Sequence, residues 1–176
     1  TAWALETCVK GEPERARETA LRRLANYAAG RNNGNACLQT VRPMVQSLEA
    51  PGRWRVRIGL ADTDTDLALS SACNGKVRLR VAETATLAVI SLPGRPTPLA
   101  MKHAETAILQ TIATTQWDLA GTAMLRLNSL PVILPFLGRF EVAVPVAERS
   151  NGSTQSSWSR SIALRDPATA SSPSVH

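Results

Sequence analysis

Histidine and aromatic residues are scarce in this chain of 176 residues. Only His103 and His176 supply imidazole, and Phe, Trp and Tyr together make up 4% of the sequence. Cysteine is limited to Cys8, Cys37 and Cys73 with no CxxC pair, so the paired four-ligand spacing of a structural zinc site is missing. An odd number of thiols argues against a closed disulfide framework, and free cysteines acting as small hydrophobes are the simpler expectation. No apolar run approaches the ~20 residues that a membrane-spanning helix needs. There is no glycine-rich phosphate loop, no nucleophile–base pair and no pair of carboxylates at a diagnostic spacing. No N-terminal signal segment is visible, and the chain opens on Thr1 rather than Met, which leaves the compartment open.

Arginine is what the sequence has in excess. Seventeen Arg and three Lys stand against fourteen acids, giving a net charge of +6. Such a balance directs attention to anionic partners, nucleic acid first. Single-strand binders interleave their cations with aromatic platforms, however, and only Trp54 lies among arginines here. Alternation turns it to the opposite face, so a nucleic-acid partner is not expected. Arg53, Arg55 and Arg57 alternate with Trp54, Val56 and Ile58, and Lys76, Arg78 and Arg80 alternate with Val77, Leu79 and Val81. Period two places one set in a core and the other on a cationic strip. Adjacent strips of this kind repel unless acids or an anion lie between them. A solvated sheet face is the simpler expectation and an anion-binding face the alternative.

An internal repeat sets the architecture. A strand over Thr1–Val9 leads through Gly11-Glu12-Pro13 into a helix, and a strand over Thr86–Leu92 leads through Gly94-Arg95-Pro96 into another. Ala16, Ala20, Leu21, Leu24 and Ala28 recur at helical spacing in the first helix, which Pro13 opens and Gly30 closes. Thr97 caps the second helix, roughly Pro98–Thr115, which buries Met101, Ala104, Ile108 and Ile112. Two extended segments follow each helix: Ala36–Val41 and Arg53–Leu60, then Thr122–Leu127 and Arg139–Val146. Lys76–Val81 adds a strand between the halves. The expected class is α+β: duplicated strand–helix–strand–strand units forming a curled antiparallel sheet or distorted barrel with two outer helices. This domain spans residues 1–147. Residues 148–176 are rich in Ser and Thr with few large apolar side chains, and are expected to form a disordered tail.

The run Arg22-Arg23-Leu24-Ala25-Asn26-Tyr27-Ala28-Ala29-Gly30-Arg31-Asn32 resembles the end of the first helix in the SOUL haem-binding proteins, roughly RRLAxYIxGxN. Further segments follow in that family's order. Pro43 falls at the proline of its MTxPV strand, and Leu69, Asn74 and Val77 match a degraded LPxPxDxxV. Ile90-Ser91-Leu92-Pro93-Gly94 resembles the strand before the second helix, and the stretch from Leu134 to Val142 resembles the LPFxRRNEV terminus. The family shares the duplicated architecture. The resemblance implies non-covalent binding or carriage of haem or a related tetrapyrrole in a hydrophobic cleft beside the first helix, with cations at its rim for the propionates.

On this chain the resemblance makes Leu21, Leu24 and Ala25 the apolar wall. Leu134 and Phe136, within Leu130–Leu137, would cover the mouth. Glu18 and Asn26 stand where relatives carry basic side chains, which leaves Arg22, with Arg23, as the candidate partner of the carboxylates. Ser70 and Ala72 replace two motif prolines. No metal ligand is assigned: His103 lies on the polar stripe of the second helix, and Met44, Met101 and Met124 are expected in the core. The alternative is an enzyme or binder acting on another hydrophobic anion in the same cavity, with Glu141 the acid of most interest and an arginine its expected partner. A third reading makes the apolar segment Leu130–Leu137 a docking patch. The expected partner is a hydrophobic small molecule; no nucleic acid and no membrane span are expected, and the oligomeric state is left open.

Overall fold

Two glycine corners start the two halves of the chain in the same way. The computed structural model describes residues 2–62, 75–82, 84–128 and 138–149. Strand β1 (Trp3–Lys10) ends at Gly11, whose φ of 123° is open to glycine alone, and Pro13 opens helix α1 (Pro13–Ala28). Strands β2 (Thr40–Ala50) and β3 (Arg53–Leu60) complete the first unit. The short strand β4 (Arg78–Val81) lies between the halves. In the second unit β5 (Thr86–Pro93) ends at Gly94, φ 86°, before helix α2 (Pro98–Ala113). Thr97 caps α2 by accepting from the Ala100 amide at 3.2 Å. Strands β6 (Trp117–Leu119), β7 (Met124–Leu127) and β8 (Arg139–Glu148) follow.

The described strands join one antiparallel sheet in the order β4–β1–β3–β2–β7–β8–β5, with β6 beside β8. The triplet β1–β3–β2 corresponds to β5–β8–β7, and the β2–β7 pair joins the two units at the centre. Each unit repeats one closing bond: the Gly11 amide donates to the Gly52 carbonyl at 2.9 Å, and the Gly94 amide to the Gly138 carbonyl at 2.7 Å. The expected α+β class and duplicated unit are what the chain forms, as an open curled sheet rather than a closed barrel. The outer strands β4 and β5 do not pair with each other.

Some boundaries differ from the expected ones. The first extended segment after α1 is not 36–41: only Cys37 makes an isolated bridge, to Ala29, and β2 instead runs from Thr40 to Ala50. Pro43 does not stop it, because the ladder shifts register between Val41 and Met44, and a proline is tolerated where no ladder donor is needed. The second half is interrupted at the matching place. There β6 and β7 are separate short strands along β8, and Gly121 sits against Pro145. Strand β8 continues to Glu148, past the expected edge of the domain at 147. The tail from residue 150 lies outside the described residues.

The end of α1 shows what the RRLANYAAGRN run builds. Gly30, at φ 92°, allows a reversal in which the Arg31 amide bonds the Asn26 carbonyl and the Gly30 amide the Tyr27 carbonyl, closing the helix as a Schellman motif. Asn32 is 7% exposed and uses its whole amide group: Nδ2 donates to the Tyr27 and Ala36 carbonyls, and Oδ1 accepts from the Gly34 and Ala36 amides. Part of the family-like run is therefore a folding signature, independent of any ligand.

The two faces of the sheet differ sharply. Leu5, Val56, Met44, Leu125, Phe140 and Val142 are buried on the side that receives both helices, where Ala16, Ala20 and Leu24 of α1 and Ala104, Ile108 and Ile112 of α2 pack. The opposite face carries Arg53, Arg55 and Arg57 of β3, Arg78 and Arg80 of β4, and Arg126 of β7. Strand β1 runs between β3 and β4 and inserts Glu6 among them. Only 6% exposed, its carboxylate meets Arg57 at 2.8 Å, Arg55 at 3.6 Å and Arg80 at 3.8 Å. Glu49 holds Arg53 at 2.8 Å and Arg55 at 3.1 Å, and Glu141 holds Arg126 at 3.4 Å. Acids at these three points answer the repulsion expected of adjacent cationic strips.

Cys8 sits on this face beside Glu49. Burial, and then its hydrogen bond to Glu49, push the thiol above its ordinary value, while the same bond and Arg55 hold the Glu49 carboxyl below its own. The thiol therefore stays protonated at neutral pH, whereas Cys37 is exposed. In mass-mapped iodoacetamide labelling of the folded protein at pH 8, Cys37 is expected to react well ahead of Cys8; equal rates would contradict the protonated, shielded thiol. Glu6→Gln keeps the shape and removes the charge. It is expected to cost about 2 kcal/mol in urea unfolding, below the full cost of breaking a buried pair because the arginines are partly solvated.

Candidate functional site

Residues i, i+3, i+4 and i+7 of a helix share a face, and in α1 this rule lines up Glu14, Arg17, Glu18 and Leu21. That face forms one wall of a cleft of about 260 Å³. The floor is Leu127 at the end of β7, with Gly138 and Arg139 at the entry to β8, and the far lip is Gly94-Arg95-Pro96, between β5 and α2. The cleft lies at the junction of the two units. Pairing of β2 with β7 brings the start of the second helical corner opposite the first helix.

Arg17 anchors the α1 wall. It is 9% exposed and its guanidinium donates to Gln46 Oε1 at 3.2 Å, while Gln46 Nε2 donates to the Pro13 carbonyl at 2.8 Å. Glu14 lies 3.8 Å away. Burial lowers the pKa of Arg17, opposed by Glu14 and Glu18, yet a guanidinium remains charged throughout the physiological range. Arg17 thus holds the helix to the sheet through Gln46, a buried polar side chain that needs such partners. Arg95 and Arg139 are different. Both are exposed, neither has an acidic partner among the described residues, and Arg139 has only a 3.4 Å contact to Ser91 Oγ. The cleft is consequently polarised, with carboxylates on the α1 wall and the Arg95 guanidinium on the lip, while Arg139 borders it at the entry to β8 with its guanidinium turned toward Ser91.

The structure distributes the residues expected from the sequence. Leu21 lines the cleft. Leu24 is 1% exposed and belongs to the core beneath α1, whereas Arg22 and Ala25 are exposed and do not line the cleft. Arg23 turns toward β1 and donates to the Cys8 carbonyl at 3.3 Å. Leu134 and Phe136, like the rest of Leu130–Leu137, lie outside the described residues. His103 is exposed on α2, Met44 is in the core and Met101 packs against it. Glu141 accepts from Asn128 Nδ2 at 2.6 Å and pairs with Arg126 on the open face, away from the cleft. Among the described residues no group of three His, Cys, Asp or Glu is placed to hold a metal ion. No described helix is long and apolar enough to cross a membrane.

Sequence reasoning missed Arg95, Arg139 and the role of Arg17. The only signal was the shared Gly–x–Pro corner, which put Arg95 at the mouth of the second helix. Its position opposite α1 depends on the β2–β7 pairing, which no local pattern announces.

Comparison with known proteins bears on the fold alone. No protein-family model matches the chain, and no curated protein does. Among solved structures it is similar to a chain of the cryo-EM EcmrR–DNA complex, at 10% identity and a TM-score of 0.63 over 84% of this chain. It spans about half of that longer chain, 54%. It is also similar to an uncharacterized conserved protein from Listeria innocua, at 14% identity and a TM-score of 0.60, covering 83% of this chain and 88% of the other. A hydrolase from the same organism matches at 14% identity with a TM-score of 0.57, covering 83% and 87%. The class so defined is a small β-rich α+β fold that recurs in proteins of differing description.

Proposed function

We propose that the chain is a non-covalent binder or carrier of an amphipathic, anionic small molecule, with haem or a related tetrapyrrole as the first ligand to consider. The observation that carries this reading is the cleft beside α1. Leu21, Pro96 and Leu127 give it apolar surface, and Arg95 and Arg139 stand at its edge without acidic partners among the described residues. Carboxylates of a ligand would meet the Arg95 guanidinium, joined by Arg139 once it leaves Ser91 and turns across the start of β8, in place of the Arg22 and Arg23 that the family resemblance implied. Glu14 and Glu18 on the opposite wall orient such a ligand, because its acidic groups are repelled from α1 toward the lip.

The volume favours a second, smaller occupant. About 260 Å³ falls just under the usual range of small-molecule pockets, so a macrocycle would enter by one edge, whereas a compact carboxylate-bearing amphiphile would be enclosed. The hydrolase description of one Listeria neighbour is not carried over: the described lining offers carboxylates and guanidiniums, but no hydroxyl, thiol or imidazole. Nor is the DNA of the EcmrR complex, since the likeness leaves much of that chain unmatched.

Titration with haemin is expected to give a saturable Soret shift at micromolar concentration. The double substitution Arg95→Glu, Arg139→Glu should weaken it at least about tenfold, as expected for loss of two charge-assisted contacts. A flat titration removes tetrapyrroles. If 1-anilinonaphthalene-8-sulfonate then binds the wild type and fails to bind the double variant, the smaller anionic amphiphile is the ligand class. Binding unaffected by the substitutions would remove this cleft from the reading.

A further inference from the structure

Strand β4 stops short along its neighbour. It pairs with β1 only over Trp3–Glu6, so from Thr7 onward the outer edge of β1 has no strand partner among the described residues. Side chains reach into this notch instead. Thr7 Oγ1 donates to the Lys76 carbonyl at 2.7 Å, and Arg23 comes round from α1 to the Cys8 carbonyl. A strand residue sends its N–H and C=O to the same edge, so the Cys8 amide is aimed into the notch as well. The result is a pocket of about 150 Å³ that shares no lining residue with the cleft beside α1.

Among the described residues four cationic side chains, Arg23, Arg53, Lys76 and Arg78, line this pocket against one acid, Glu6. Glu6 is already engaged by Arg55, Arg57 and Arg80, and Arg53 by Glu49. Arg78 has no acidic partner among the described residues. Cys8 adds no negative charge, since burial keeps its thiol protonated. Such a pocket lies well below the usual size of a small-molecule site, so it suits a single compact group. Donors approach from three sides: α1 through Arg23, the sheet through Arg53 and Arg78, and the free edge of β1. A tetrahedral oxyanion can accept from all three, whereas a planar carboxylate has only two oxygens to offer.

The geometry points to a second ligand site in this notch, one for a phosphoryl oxyanion, either inorganic phosphate or a terminal phosphomonoester. The charge surplus supplies the attraction, and the end of β4 supplies the space. The site is independent of whatever occupies the cleft.

Isothermal titration of the full chain with inorganic phosphate, against chloride at matched ionic strength, is expected to show one saturable site. Arg78→Gln should weaken it about tenfold, and Arg23→Gln should weaken it by a similar factor from the opposite wall. Arg126→Gln, which removes the same charge from the same sheet face away from the notch, should leave the affinity unchanged. Absence of binding would overturn the proposal. So would an equal loss in Arg78→Gln and Arg126→Gln, because that is the signature of diffuse face charge. Co-sedimentation with phosphatidylcholine vesicles containing phosphatidic acid separates the sources. Binding to them, lost in Arg78→Gln, assigns a lipid headgroup; phosphate binding without it assigns a soluble phosphate.

Discussion

One carboxylate makes the first half of this sheet possible. Strands β3 and β4 both alternate apolar residues with arginines, and a core on one side forces those arginines onto the other. Set side by side they would repel. Strand β1 is placed between them, and Glu6 stands where Arg57 and Arg78 are its register partners on either side. A neutral residue at this position would leave Glu49 as the acid that compensates these rows among the described residues. The strand order β4–β1–β3 is thus tied to charge as well as to hydrogen bonding. The same logic recurs once in the second half, where Glu141 answers Arg126 across β7 and β8.

The two units meet along β2 and β7, and that seam determines where a ligand can go. Each unit covers its own strands with its own helix, so apolar surface is well closed within a unit and least closed between them. Gln46 lies on this seam, buried on the helix side of β2 opposite Leu125. A buried amide there needs partners, and Arg17 with the Pro13 carbonyl supplies them, fixing the start of α1 over the sheet. The cleft is the space remaining beyond Arg17, bounded by the equivalent corner of the other unit.

Much of the fold was legible in residues because local rules and packing agree. Gly11 and Gly94, with Pro13 and Pro98, mark two corners of one kind; Thr97 caps as its chemistry demands; and alternation in β3 and β4 assigned both faces correctly. Boundaries failed where tertiary pairing overrode pattern. The extended segment expected to end at Val41 runs on through Pro43 by way of a register shift, and β6 is too short to carry a period. The site was less legible. Leu21 lines the cleft because it lies on the helix face next to the buried one, whereas Leu24 turns inward to the core and Arg22 outward to solvent. Arg95 and Arg139 became neighbours of α1 only through long-range pairing, for which a single sequence holds no local sign.

The +6 charge therefore separates into unequal parts. On the open face most arginines are held by Glu6, Glu49 and Glu141, so their number is a poor guide to ligand binding. What matters is where a cation lacks an acid. Among the cations that line the two pockets this occurs at Arg95 and Arg139 beside the cleft and at Arg78 beside the notch. An anion bound at either place would be held by few groups, in partial desolvation, where each charge-assisted bond counts for more than in the paired lattice. A ligand entering the cleft also meets Glu14 and Glu18 on its other wall, so a simple polyanion is disfavoured there. The cleft selects a molecule with its charge at one end and an apolar body at the other, whereas the notch has room only for the charged group itself.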